Sequence, residues 1–364
     1  MKNLNILVAI FFTIPLLSGC NDPSVEYPVI EDLGMVGIMG FDYVDEQHAK
    51  VTVTLSPSRQ EESPQMGTSI VEVPHQAVLE VSTQSDKLLS LAQLRVILFS
   101  EEYATKVGLF EMMEHLYRDP MVGANVLIAV VKGSVEDILS QPYKNNPEIN
   151  VYVNELLTPR TIVTFNPFST VHTFVNRYTD EISDPTTPYL ELIGDSLKIT
   201  KVALFKGDKL VKTITPEEAK LIEGLKKRKK LPDMSVKYEG EKLTVLRFVN
   251  TQFKFETNGD FNNLTLHLNL FVKGSLVDYE GNRKFGNVHE QVELERKINE
   301  ELTENLESVV QLFQELEIDP LSLGRKVYIK NAKNWSKEEW NKAFKNANVV
   351  VNVETTIVSP GTIR

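Results

Sequence analysis

Residues 91–139 read LAQLRVILFSEEYATKVGLFEMMEHLYRDPMVGANVLIAVVKGSVEDIL. Leu94–Phe99 is a strand candidate, and Ser100-Glu101-Glu102 converts it into a helix: a serine stands ready to cap the first turn, and two acids meet the positive end of the dipole. That helix is expected to reach about Gly108. A second one, Leu109–Tyr117, puts Leu109, Phe110, Met112, Met113 and Leu116 on one broad face, where methionine fills core space. Asn125–Val131 (NVLIAVV) is an unbroken apolar run, the mark of a strand buried on both faces. Gly133 makes a turn, and Val135–Leu139 a short helix.

Outward from this stretch, strands and helices come in clusters, without a regular strand–helix alternation. Gly34–Tyr43 (GMVGIMGFDY) and Lys50–Leu55 (KVTVTL) are strands, the second cleanly alternating. Gly34, Gly37 and Gly40 recur at every third residue, the wrong spacing for a dinucleotide-binding turn and a suitable one for close strand packing. Ser56–Thr68, with Pro57 and Pro64, reads as a polar loop, and Val78–Ser82 as a further strand. Glu148–Tyr178 mixes turns with aromatic residues. Lys198–Thr215 (KITKVALFKGDKLVKTIT) is a hairpin, with Gly207-Asp208 suited to the positive-φ positions of a primed turn. Thr215-Pro216-Glu217-Glu218 forms a capping box for a helix ending near Gly224. Lys226–Lys230 (KKRKK) then leads to Pro232, the place of a domain boundary.

The last third opens with alternating strands at Lys242–Glu256 and Leu264–Lys273. Glu290–Asp319 is the longest helix: Leu294, Ile298, Leu302, Leu306, Val309, Val310 and Phe313 recur at three- and four-residue steps and form a buried stripe. The other face carries nine glutamates from Glu290 to Glu317 against Arg296 and Lys297, a solvated surface and a possible docking face. Ser336 caps the next helix with Glu339 at its third position, and Trp335 and Trp340 form a hydrophobic staple across the cap. Asn348–Ile357 closes the chain as a strand with Val349, Val351, Val353, Thr355 and Ile357 on one side. The fold class is α+β, with mainly antiparallel sheets.

The amino end follows a different logic. Lys2 gives a positive start, Ile6–Leu17 is almost wholly apolar, and Ser18 and Gly19 are small. This is the build of an export signal, with an apolar core short of the roughly 20 residues that cross a bilayer. Leu17-Ser18-Gly19-Cys20 also fits the bacterial lipoprotein processing box, in which a diacylglycerol is transferred to the Cys20 sulfur, the chain is cut before it, and the new amino end takes an acyl chain such as palmitate. A thiolate is the best nucleophile available for that thioether. Cys20 is the chain's one cysteine, so no disulfide partner exists. Loss of residues 1–19, which include Lys2, takes the net charge from −11 to −12. With 50 acidic against 39 basic residues, no general field attracts phosphate, and nucleic acid is not an expected partner.

Catalytic and metal-binding patterns are absent from the sequence. The histidines (His48, His75, His115, His172, His267, His289) are scattered, His289-Glu290 lacks the second histidine of a zinc-protease helix, and Glu111…Glu114-His115 has glutamate where the inverted motif needs histidine. No G-x-S-x-G elbow, P-loop or G-x-G-x-x-G is present. Neither a cofactor nor a metal is expected. Lys226–Lys230 reads as a solvated loop past a helix end, with contact to anionic headgroups as the sharper alternative.

At four places the chain resembles the Ger(x)C family, the lipoprotein C subunits of spore germinant receptors. These are GIMGFDYVDE after the lipobox, the 91–139 stretch with its Arg118-Asp119 turn, VALFKGDKLVKTITPEEAKLIEGL, and the closing WNKAFKNANVVVNVETTIVSPGTI. The basic run at 226–230 departs from the family pattern. The resemblance implies three mixed α/β domains and a non-catalytic receptor subunit. It would be held by lipidated Cys20 on the outer face of the spore inner membrane, beside two integral-membrane receptor subunits, in nutrient-triggered germination. The expected division is a signal at 1–19, a tether at 20–31, an N-terminal α/β domain at 32–188, a small hairpin-plus-helix domain at 189–232 and a C-terminal α/β domain at 233–364. The alternative reading is a solute-binding lipoprotein of a transport system; its two lobes of repeated βα units are not the pattern of this chain.

Overall fold

The computed structural model describes residues 32–56, 65–143, 148–159, 167–225, 230–238, 242–279, 288–331 and 335–359. The expected signal, lipobox and tether, and residues 226–229 of the basic run, lie outside them.

Two sheets organise these residues. The first is nine-stranded, with strands β1 (Leu33–Tyr43), β2 (Ala49–Leu55), β3 (Met66–Val71), β4 (Leu88–Ser90), β5 (Val96–Ser100), β6 (Leu127–Val131), β7 (Thr186–Ile193), β8 (Ser196–Lys206) and β9 (Lys209–Ile214). Its order is β3-β2-β1-β5-β6-β7-β8-β9, with β4 added to β1. The four central strands β1, β5, β6 and β7 run parallel, and the flanks are antiparallel. A parallel centre needs crossovers and cover on both faces. Helices α1 (Pro74–Ser82), α2 (Glu101–Lys106), α3 (Phe110–Arg118) and α6 (Val171–Thr179) share one core with Phe41, Phe99 and Ile128, while α4 (Val135–Ser140) and α5 (Ile149–Leu157) share another with Ile38, Leu98 and Ala129. Every residue of β5 and of β6 is accordingly buried.

Four local expectations change here. Glu148–Tyr178, expected as turns mixed with aromatic residues, holds most of the two capped helices α5 and α6. Val78–Ser82 is the second half of a helix, not a strand: Pro74 supplies the preset φ of a first helical position, and Ala77 and Val81, four apart, are buried together. Met66–Val71, in part expected as loop, is an edge strand paired to β2. In the β8–β9 hairpin Gly207 takes positive φ (63°) and Asp208 does not, the pattern of a II′ turn. The Asp208 carboxylate instead accepts the Phe110 N–H at 3.1 Å.

The second sheet has the order β10 (Met234–Tyr238), β11 (Lys242–Asn258), β12 (Thr265–Tyr279), β13 (Asn348–Ser359), antiparallel except for the last, parallel pair. One face is covered by α8 (Val288–Leu316), with α7 (Pro216–Leu225), α9 (Gly324–Asn331) and α10 (Lys337–Asn346) in the same core. The expected stripe from Leu294 to Phe313 is buried in full. Side chains of α8 also satisfy the free edge of β13. Asn299 Oδ1 accepts from Thr355 N at 2.6 Å, Glu295 Oε1 accepts from Ile357 N at 2.7 Å, and Gln291 Nε2 donates to the Ile357 carbonyl at 2.9 Å. The edge is thereby closed to other chains at Thr355 and Ile357.

The stretch 189–232, expected as a middle domain, gives its strands to the first sheet and its helix α7 to the second core. Alternate residues of β8 face opposite ways: Ala203 and Phe205 enter the core of the first sheet, Val202 and Leu204 that of the second.

Candidate functional site

Residues 37–42 (GIMGFD) explain themselves once packed. A Cβ on Gly37 would lie 2.5 Å from Asn150 Oδ1, and one on Gly40 2.3 Å from Val135 Cγ1, so both glycines let helices approach β1. Asp42, 8% exposed, accepts the N–H groups of Val135 at 2.8 Å and Glu136 at 3.1 Å and the Ser134 hydroxyl at 3.1 Å. Its charge is spent on the start of α4, with Lys50 paired to Glu136 alongside. This is a structural clamp.

A denser polar constellation joins the two sheets. Asp184-Pro185 and Asp319-Pro320, 135 residues apart, meet head to head. Asp319 N donates to Asp184 Oδ2 at 2.7 Å, and Asp184 N to the Asp319 carbonyl at 3.2 Å. The Asp319 carboxylate accepts from Leu323 N (2.9 Å) and Gly324 N (2.8 Å), which starts α9. Asp184 also accepts from Gly207 N and pairs with Lys337 at 3.2 Å. Around this pair, Arg177 donates to the carbonyls of Asp184 and Pro320, Arg325 binds Asp180 at 2.8 Å, and Glu317 pairs with Lys206 and Lys345. Burial pushes the Asp319 carboxyl up to about 6; the Gly324 and Leu323 amides oppose that, and the Asp184 charge adds to it.

Backbone strain gathers here too. Glu181, Glu317 and Ser322 hold left-handed φ near 55°, with Phe248 the one other non-glycine residue to do so among the described residues. Every carboxylate at the centre is occupied by amides or a lysine, so the arrangement suits holding rather than bond making.

The remaining residues singled out from the sequence stay apart. His48 pairs with Asp45, His75 with Asp119 at 2.7 Å, and His172 lies beside Tyr117 and Asn176. Among the described residues no group of three or more His, Cys, Asp or Glu is placed to hold a metal ion. Trp335 and Trp340 stack at 5.9 Å across the Ser336 cap, as a staple requires, and Trp340 is fully buried. The acidic face of α8 is only partly free: Glu295 serves β13, Glu293 and Glu300 bind Arg296, and Glu317 belongs to the joint. Lys230 is exposed. Leu17, Ser18, Gly19 and Cys20 lie outside the described residues. The joint is not legible in the sequence: Asp-Pro also occurs at Asp22-Pro23 and Asp119-Pro120, so nothing singles out the two dipeptides that meet.

Two family models cover most of the chain: a spore germination protein N-terminal domain at residues 26–192, and a spore germination B3/GerAC-like C-terminal domain at residues 200–361. The spore germination protein GerQC of Bacillus cereus is 24% identical over 339 residues, 92% of this chain and 93% of the relative. The crystal structure of the GerBC protein matches with a TM-score of 0.57 at 15% identity, over 88% of this chain and 96% of that one. The boundary between the two family models falls within the β7–β8 hairpin.

Proposed function

The chain belongs to the Ger(x)C family, the C-subunit family of spore germinant receptors, and from that premise we propose that it is a non-catalytic subunit anchored by lipid. Cys20 is the acylated residue, with Leu17, Ser18 and Gly19 as the processing box. The anchor sits on the outer face of the spore inner membrane, next to two integral-membrane receptor subunits. The observation that carries this reading is the co-occurrence of the family match over nearly the whole chain with a single cysteine directly behind a short apolar leader. No helix among the described residues is long and apolar enough to cross a membrane, so a helical anchor within them is not available in its place.

The mechanism is placement. Two or more acyl chains hold a protein at a bilayer far better than one, and contacts with membrane partners then become effectively intramolecular, at concentrations near the millimolar range. The joint at Asp184 and Asp319 supports such a role, because a push on one sheet meets a polar lock to the other.

Replacing Cys20 with Ala tests the reading. The variant is expected to leave the membrane fraction, with nutrient-triggered germination lost in parallel. Mass spectrometry of the native protein should find acylated Cys20 at the amino end. Unchanged membrane attachment in the variant would sink the proposal.

A further inference from the structure

Beside the turn after β1 lies a cavity of about 320 Å³ that neither the joint nor the lipid-anchor reading uses. Its rim carries Asp45, Glu46, Glu72 and Glu111, and no lysine or arginine lines it. His48 is the one basic side chain present; it binds Asp45 at 2.9 Å and stands 3.7 Å from Glu72. Glu46 and Glu111 pair with no cation among the described residues.

The floor is aromatic and apolar. Tyr103, 1% exposed, ends a ladder of rings in which Phe41 and Phe99 stack at 5.0 Å and Phe99 and Tyr103 at 5.8 Å. No hydrogen bond reaches its hydroxyl among the described residues. The residue is buried, but its unpaired oxygen is not fully so, and it is open to the cavity that Tyr103 lines. Burial first, and then the charge of Glu111, push its ionisation upward, so the hydroxyl stays neutral with an oxygen lone pair to offer. Met112 completes the floor.

An acidic rim concentrates cations, and Val73, Val107 and Met112 give the otherwise polar cavity an apolar patch that a hydrocarbon tail can cover. Among the described residues the carboxylates do not converge as metal ligands, and the apolar patch favours a cation that carries a hydrocarbon part. We propose that this cavity binds a small organic cation, a primary ammonium on a short apolar tail, with the ammonium against the Glu111 carboxylate and the Tyr103 hydroxyl and the tail over Met112. The inference stands whether or not the chain is acylated.

The test is a ligand-observed NMR titration of the full chain in detergent with n-butylammonium, and with butyrate as the anionic counterpart. Saturable binding of butylammonium and none of butyrate is expected. Glu111→Gln should weaken binding about fivefold, the scale of one partly exposed charge pair. Tyr103→Phe, which removes only the oxygen, should also weaken it without lowering the melting temperature. No saturable butylammonium binding, equal binding of butyrate, or unaltered affinity in both variants would overturn the proposal.

Discussion

The two sheets bury their strands differently, and each writes itself into the sequence accordingly. In β5 and β6 every side chain is buried, because helices cover both faces. In β11 and β12 burial alternates along most of the strand, because α8 and its neighbours cover one face. A one-sided sheet repeats every second residue; a two-sided one shows only an apolar run, which says nothing of strand direction or neighbour. The parallel centre of the first sheet is therefore silent in the sequence, while the second sheet is nearly spelled out.

The contrast between the sheets can be broken experimentally, from the largest expected effect downward. Trp340 is fully buried and stacks on both Trp335 and Phe344. Trp340→Ala should cost about 3–5 kcal/mol in urea unfolding. Amide exchange then sharpens the contrast: with the joint intact, β5 and β6 should lose protection along with β12. Loss confined to the second sheet would make the two sheets independent folding units.

A smaller effect is expected in the first sheet. Gly40→Val drives a side chain into Val135, at a cost of about 1–3 kcal/mol. Gly34→Ala on the same strand, where the nearest atom to a Cβ is 3.5 Å away, should be close to neutral. Equal urea midpoints for the two variants would mean that α4 does not press on β1 as described.

A further effect lies in the joint between the sheets, and it depends on pH. Asp319 titrates at about 6 when folded against an ordinary value of 3.8, so the folded protein holds this proton more tightly. Its contribution to stability is fully present below about pH 4 and is lost as pH rises to about 6. Asp319→Asn cannot titrate. The gap in urea midpoint between wild type and variant should narrow from about pH 4 to above about pH 6. A gap that stays constant or widens would remove Asp319 from the titrating groups of the fold.

Legibility follows the same division. The Ser100, Thr215 and Ser336 caps, the α8 stripe and the Trp335–Trp340 staple all rest on residues within a few positions of one another, and all are present. The α1 helix looks like a strand from its sequence because Val78–Ser82 carries β-branched residues, and its true start, Pro74, lies outside that window. The joint is invisible at that level because neither aspartate is satisfied only by its own neighbourhood. Each meets backbone from the far end of the chain.

The amino-acid order by itself settled where the helices capped by Ser100, Thr215 and Ser336 begin, which stripe of α8 turns inward and which residues of β13 face the core, since caps and periodicity act over one or two turns. Only the tertiary structure decided that four strands run parallel, that β8 serves two cores with alternate residues, and that the Asp319 amide meets the Asp184 carboxylate. Those outcomes depend on which surfaces come to exclude water from each other, and a buried charge takes its partners from whatever segment arrives beside it.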